Sequence, residues 1–200
     1  IHGTSGSIIS TLFNRTTGFA IVGKGIGRFS NDVALGIRGT NMTSGRDWFS
    51  NANASLATAD NNSAVHSGFQ KVFKSIQPVL EKQLAPLLNT NSNGIVHCAG
   101  HSLGGALASL AAIWIKQRFG NHVALYTFGA PRVGLNDFAL KSSGSIDKIY
   151  RCVHGDDPVP MVPVWPFFHA PLNGSSVLLT SATGINASSH SMLKNPGYTN

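Results

Sequence analysis

Gly100-His101-Ser102-Leu103-Gly104 lies between two runs of opposite character. Before it stands Gly94-Ile95-Val96-His97-Cys98-Ala99, short, apolar and partly β-branched, the composition of a strand. After it comes Gly105-Ala106-Leu107-Ala108-Ser109-Leu110-Ala111-Ala112-Ile113-Trp114-Ile115-Lys116, rich in Ala and Leu and long enough for a helix. A G-x-S-x-G pattern between strand and helix places its serine on a tight, strained turn with the hydroxyl presented outward. Glycines are needed around it because a Cβ would collide where strand and helix cross so closely. The pentapeptide alone is a weak pattern. Its setting makes Ser102 the candidate nucleophile rather than part of a purely structural glycine turn.

Working outward, residues 8–13 carry Ile8, Ile9, Leu12 and Phe13 at helical spacing. Residues 18–27 and 32–37 read as two strands, joined by the turn Phe29-Ser30-Asn31-Asp32 into a hairpin. Residues 40–62 form a long polar stretch of Asn, Ser and Ala with one apolar point, Trp48-Phe49; a loop of that length in a compact domain is usually functional or mobile. Residues 63–88 place Val65, Phe69, Val72, Phe73, Ile76, Leu80, Leu84 and Leu87 close to a helical stripe, with Pro78 expected to kink or interrupt it or to start a second helix. After the Ala-rich helix, ending near Phe119, come strands over residues 122–128, 149–153 and 175–180. Near-continuous apolar strands separated by helices predict an α/β fold, a mostly parallel sheet with helices on both faces. Nothing repeats and no linker divides the chain, so residues 1–200 are expected to form one domain.

Composition narrows the partners. Hydrophobic residues make up 42% of the chain and the formal net charge is +7. Lys and Arg are scattered rather than striped, and no DNA- or RNA-binding motif accompanies them, so nucleic acid is not the expected partner. Solubility is the plainer reading of the charge; attraction to acidic membrane surfaces stays open. No stretch has the apolar length of a membrane span. The chain begins at Ile1 with no basic-then-apolar leader, as expected of a mature form or of a domain cut from a longer protein acting outside the producing cell. Cys98 and Cys152, each in an apolar strand-like run, read as buried free thiols, and neither a metal site nor a cofactor is implied.

A serine at neutral pH needs a base, and the base an orienting carboxylate. In open α/β sheets these groups collect at the carboxyl ends of strands. Asp137 falls in a loop leading into a helix and Asp147 precedes its strand, whereas Asp156 and Asp157 directly follow the 149–153 strand, so one of these two is the orienter. Of the eight histidines, His97 reads as a satisfied core residue, His101 points away from the serine, and His66 and His154 are supporting groups. His169 and His190 remain, and the order Ser, Asp, His favours His190, which follows the last strand. The oxyanion needs donors: the Leu103 N–H at the start of the following helix, and Thr40 after Ile37-Arg38-Gly39.

With these residues in place the chain resembles the class 3 lipase family, the fungal-type lipases of the α/β-hydrolase superfamily. The matching pieces are Ile37-Arg38-Gly39-Thr40 with Asp47-Trp48, Val65-His66-Ser67-Gly68-Phe69, Gly100-His101-Ser102-Leu103-Gly104-Gly105, Thr127-Phe128-Gly129-Ala130-Pro131-Arg132-Val133-Gly134 and Asp157-Pro158-Val159-Pro160. The resemblance implies Asp157 rather than Asp156 as the triad acid, Thr40 in the oxyanion hole, and a lid over residues 41–58. The sequence departs from the family where Phe168-His169-Ala170-Pro171 lacks the expected glycine, which leaves His169 in a supporting role, and where the segment after Pro163 is shorter than usual.

Two apolar loops bear on the substrate. Trp48 and Phe49 either anchor their loop by burial or meet lipid when it opens. Met161, Val162, Val164, Trp165, Phe167 and Phe168 follow the acid and are expected to wall an acyl chain, with Trp165, Phe167 and Phe168 as contact residues. The expectation is a serine hydrolase of lipid acyl esters, a lipase or phospholipase A, working at a membrane or emulsion surface. Two alternatives stand beside it: a membrane-attacking phospholipase effector domain of a longer bacterial protein, with an inhibitory or immunity partner, and an inactive hydrolase-fold binding module.

Overall fold

The computed structural model describes residues 20–39, 55–89, 93–171, 176–180, 184–192 and 198. Its strands and helices, in chain order, are β1 (Ala20–Lys24), β2 (Val33–Ile37), β3 (Leu56–Thr58), β4 (Ala64–His66), α1 (Ser67–Leu88), β5 (Ile95–His101), α2 (Leu103–Phe119), β6 (His122–Phe128), α3 (Asn136–Ser145), β7 (Lys148–His154) and β8 (Ser176–Thr180). The main sheet has the order β1-β2-β5-β6-β7-β8. β1 runs antiparallel to β2, the expected hairpin, and every other neighbouring pair is parallel. Parallel neighbours need crossovers; α1, α2 and α3 supply the first three, and the segment after β7, with a 3-10 turn at Val159–Met161, leads to β8. The five parallel strands β2, β5, β6, β7 and β8 therefore end on one side, where the loops after β5, β6 and β7 meet.

The core lies on one face of this sheet. Val33, Leu35, Val96, Cys98, Val123 and Leu125 alternate inward along their strands and meet Phe69, Phe73 and Leu84 of α1, Leu107 and Ile113 of α2 and Phe138 of α3. α2 is buried from Leu103 to Ile115, apolar all round because it is sandwiched between the sheet and α1. It stops at Gly120, whose φ of +72° suits glycine. On the opposite face Gly36, Ala99, Tyr126 and Tyr150 stand in register across four strands, and the two tyrosine rings stack at 5.1 Å. The three described helices all lie on the core face; the helical spacing at Ile8–Phe13 falls outside the described residues.

Four expectations change. α1 runs unbroken through Pro78 and Pro86. A proline forfeits one helical hydrogen bond, a cost of about 3 kcal/mol, but the stripe from Phe69 to Leu88 continues on both sides, and each large apolar side chain it buries returns about 1.5–3 kcal/mol. The helix also starts later than residue 63, because Ala64–His66 pairs with β3 and His66 Nδ1 accepts the Gly68 N–H as its cap, 3.1 Å away. His97 is not in the core: it stands on the open face, 3.4 Å from Asp32 and 3.3 Å from the Tyr126 hydroxyl. Cys98 is a buried free thiol as expected, but Cys152 is only half-buried.

The crossing of β5 and α2 explains the glycines. A Cβ on Gly104 would stand 2.2 Å from the Ile37 carbonyl oxygen, and one on Gly100 would stand 2.2 Å from that of Gly104. Gly144, on exposed α3, has open space around it. Gly104→Ala is therefore expected to lower unfolding stability by about 1–3 kcal/mol, while Gly144→Ala leaves it unchanged or raises it by about 0.5–1 kcal/mol. Denaturant titration of both variants checks this, and equal stabilities would remove the steric reading of the crossing.

Candidate active site

Ser102 sits between β5 and α2 with φ +57° and ψ −131°, a region that L-residues with a side chain rarely occupy. The strain is held from both sides. The Ser102 N–H donates to the Phe128 carbonyl at 2.9 Å, and the Ser102 carbonyl accepts the Gly105 N–H at 2.9 Å. Leu103 is the first residue of α2, so its N–H is one of those that no helical carbonyl can satisfy, at the positive end of the helix dipole. Gly39 packs against the same turn: a Cβ there would lie 2.6 Å from the His101 carbonyl oxygen and 3.2 Å from Ser102 Cβ. Thr40, the residue after Gly39, lies outside the described residues, as do Trp48, Phe49 and most of the 41–58 stretch. Of that stretch Leu56–Thr58 is described, as β3.

The carboxylate follows β7. Asp157 is 1% exposed, and an ionised group so placed needs donors. It has three. Val159 N–H donates to Oδ1 at 2.9 Å; His190 Nδ1 and the Tyr198 hydroxyl both donate to Oδ2, at 2.8 and 2.6 Å. Gly129, with φ +55°, passes so close to this cluster that a Cβ would lie 2.6 Å from Asp157 Oδ2. That accounts for a glycine between Phe128 and Ala130.

His190 closes a short 3-10 turn, Ala187–His190, and is fully buried. Because a carboxylate can only accept, Nδ1 carries the proton of the neutral ring and Nε2 presents its lone pair. Nε2 is buried and makes no hydrogen bond among the described residues. The His101 ring lies 4.5 Å from that of His190, and His101 Nε2 donates to the His190 backbone carbonyl at 2.6 Å. Burial, then the neighbouring His190, pushes His101 down to about 4, so its ring is neutral at physiological pH.

The remaining acids and histidines have other work. Asp137, in the first turn of α3, accepts the Phe138 N–H at 2.8 Å and the Ala64 N–H at 3.0 Å. Asp147 binds Lys116, His122 and the Val123 N–H at the far end of the sheet. Asp156 faces away from the pair, accepting the Gly184 N–H at 3.0 Å. His169 donates to the Pro160 carbonyl at 2.7 Å, and burial followed by the charge of Arg151 pushes it down to about 4.

The apolar segment after the acid does not act as one wall. Phe167 is buried beside the His66 ring, with centroids 5.7 Å apart. Phe168 is half-buried, its N–H bound to Gly134. Trp165 is 80% exposed. The residue that sequence reasoning missed is Tyr198. Burial and its bond to Asp157 push the phenol well above its usual range, so it stays a protonated donor. Its only sequence signal is that no other tyrosine follows Asp157.

Among the described residues no group of His, Cys, Asp and Glu could hold a metal ion, and no helix is long and apolar enough to cross a membrane.

Comparisons with known proteins bear on the family and the fold. The chain is 33% identical over 134 residues to secreted mono- and diacylglycerol lipase 1 of Fusarium solani, covering 66% of this chain and 39% of that protein. It is 32% identical over 152 residues to the chloroplastic phospholipase A(1) DAD1 of Arabidopsis thaliana, covering 66% and 34%. It thus spans well under half the length of either relative. Among solved structures it matches a triacylglycerol lipase whose catalytic centre is described as a serine protease triad, with TM-score 0.66 and 30% identity over 78% of this chain and 60% of that one. The family model for lipase (class 3) matches residues 34–167, more than half of the chain. The chain belongs to the class 3 lipase family.

Proposed function

We propose that this chain is a serine carboxylic ester hydrolase that cleaves acyl esters of glycerolipids through an acyl-enzyme on Ser102. The observation that carries the reading is the fully buried His190–Asp157 pair, whose His190 ring lies 4.5 Å from that of His101, the residue before Ser102, with Nε2 left without a hydrogen bond among the described residues. In the first half-reaction His190 Nε2 takes the Ser102 proton as Oγ bonds to the ester carbonyl carbon. The carbonyl oxygen becomes an oxyanion, stabilised by the Leu103 N–H and by Thr40. Collapse breaks the bond to the alcohol, which leaves with the proton from His190. Water then repeats the sequence, with His190 as base, and releases the fatty acid. Asp157 stays ionised throughout, holds the Nδ1–H tautomer and stabilises the imidazolium.

Both glyceride and phospholipid cleavage fit, since one relative is named a mono- and diacylglycerol lipase and another a phospholipase A(1). Action outside the producing cell fits the Fusarium solani relative, named as secreted.

Ser102→Ala is expected to lower kcat by at least about 10⁴-fold on fatty-acid release from triacylglycerol emulsions and phospholipid vesicles; residual turnover within about tenfold of wild type would remove Ser102 from the mechanism. His190→Ala should cost about 10⁴-fold or more and His169→Ala less than about tenfold, and the reverse order of losses would move the base to His169. Tyr198→Phe removes one donor from a buried carboxylate, an interaction of about 1.5–3 kcal/mol. Steady-state kinetics should then show kcat lower by about ten- to a hundredfold with KM unchanged. A change confined to KM would place Tyr198 in substrate binding instead.

A further inference from the structure

Val164 and Trp165 are 69% and 80% exposed at the tip of the loop that follows Asp157, and Met161 at its base is 45% exposed. The loop is a fixed structure rather than a frayed one. Arg132 donates from its guanidinium to the carbonyls of Met161 and Pro163, at 2.8 and 3.0 Å, and from its backbone to that of Val162 at 2.8 Å. His169 binds the Pro160 carbonyl and the Phe168 N–H binds Gly134. The same frame that turns Phe167 inward therefore turns Val164 and Trp165 outward. Ile185, 77% exposed, lies on the segment that Asp156 holds through Gly184.

Positive charge stands behind the tip. Arg132 is bonded directly under it, and Arg132 and Arg151 both act on His169, which packs against the loop's start. The nearby carboxylates are engaged: Asp157 with His190, Tyr198 and Val159, and Asp156 with Gly184. An apolar tip ending in tryptophan over arginines matches the interface of an anionic bilayer, where indole rings settle at headgroup depth and cations meet lipid phosphates. The formal charge of +7 acts in the same direction at longer range.

We propose that the Val164–Trp165 tip is a docking surface for anionic phospholipid bilayers, inserting beside the site rather than lining its acyl pocket. The proposal rests on the glycerolipid reading above, because a tip anchored directly after Asp157 brings the mouth of the site against the lipid. Docking belongs in this view to a rigid loop, independent of any movement of residues 41–58.

The test uses a Ser102→Ala, Trp48→Phe chain, which does not hydrolyse the vesicles and leaves Trp165 and the buried Trp114 as emitters. It is titrated with vesicles of phosphatidylcholine alone and of phosphatidylcholine with one third phosphatidylglycerol, with and without bromine in the acyl chains. Expected are a blue shift and bromine quenching of Trp165, binding at least tenfold stronger to the anionic vesicles, and weakening of that binding by salt. Adding Val164→Ser and Trp165→Ser should cut partitioning at least tenfold, with an unchanged far-ultraviolet spectrum and melting midpoint. Equal partitioning with and without the two serines overturns the proposal. So does a concentration-dependent dimer that the two serines abolish, if no vesicle binding accompanies it. Wild-type turnover of a monomeric short-chain ester, measured in parallel, separates the two readings. Its presence with failed docking leaves the hydrolase standing, and its absence removes the hydrolase.

Discussion

The close crossing of β5 and α2 is the constraint from which the rest of the site follows. Gly100 and Gly104 let the strand and the helix approach until backbone meets backbone, and Gly104 also admits the end of β2. Ser102 is left at the apex in a conformation that costs about 1–3 kcal/mol in isolation. Burial of nearly all of α2 between the sheet and α1 offsets it. The strained turn places Ser102 directly before the N-terminus of α2. Gly39, pressed against the same turn, brings the end of β2 there too.

A second constraint holds His190. Asp157 is buried, and the donors that satisfy it come from separate parts of the chain: Val159 beside it, His190 and Tyr198. Each donor restrains the carboxylate, and the carboxylate restrains the His190 ring and its tautomer. His101, next to the serine, grips the His190 backbone from the other side. Ser102 and His190 are therefore tied together through the residue before Ser102.

The strands, their mostly parallel pairing and the Ser102 turn were legible because their signals are local: apolar runs, glycine spacing and a serine between two kinds of element. Asp157 and His190 were singled out because strand ends are predictable landmarks, and the structure brings the two side chains within 2.8 Å of each other. Tyr198 was not, since it meets Asp157 across 41 residues through a contact with no periodic trace. Which face of the sheet the helices would cover was equally hidden, and so His97 was placed in the core when it stands on the open side. Pro78 misled because local hydrogen bonding was weighed without the tertiary burial that outlasts it. In the loop after Asp157 several prolines break any period, so nothing in the sequence separated inward Phe167 from outward Trp165. Thr40, Trp48 and Phe49 lie outside the described residues, and their roles remain readings from sequence.

The most direct measurement on the central claim is covalent. The wild-type chain is treated with a fluorophosphonate, digested, and the adduct located by tandem mass spectrometry. The account predicts a single stoichiometric phosphonyl group on the peptide containing Ser102, formed at a rate that falls steeply when His190 is replaced by alanine. An unmodified Ser102 with the label on another serine, or labelling that proceeds equally well without His190, would contradict it.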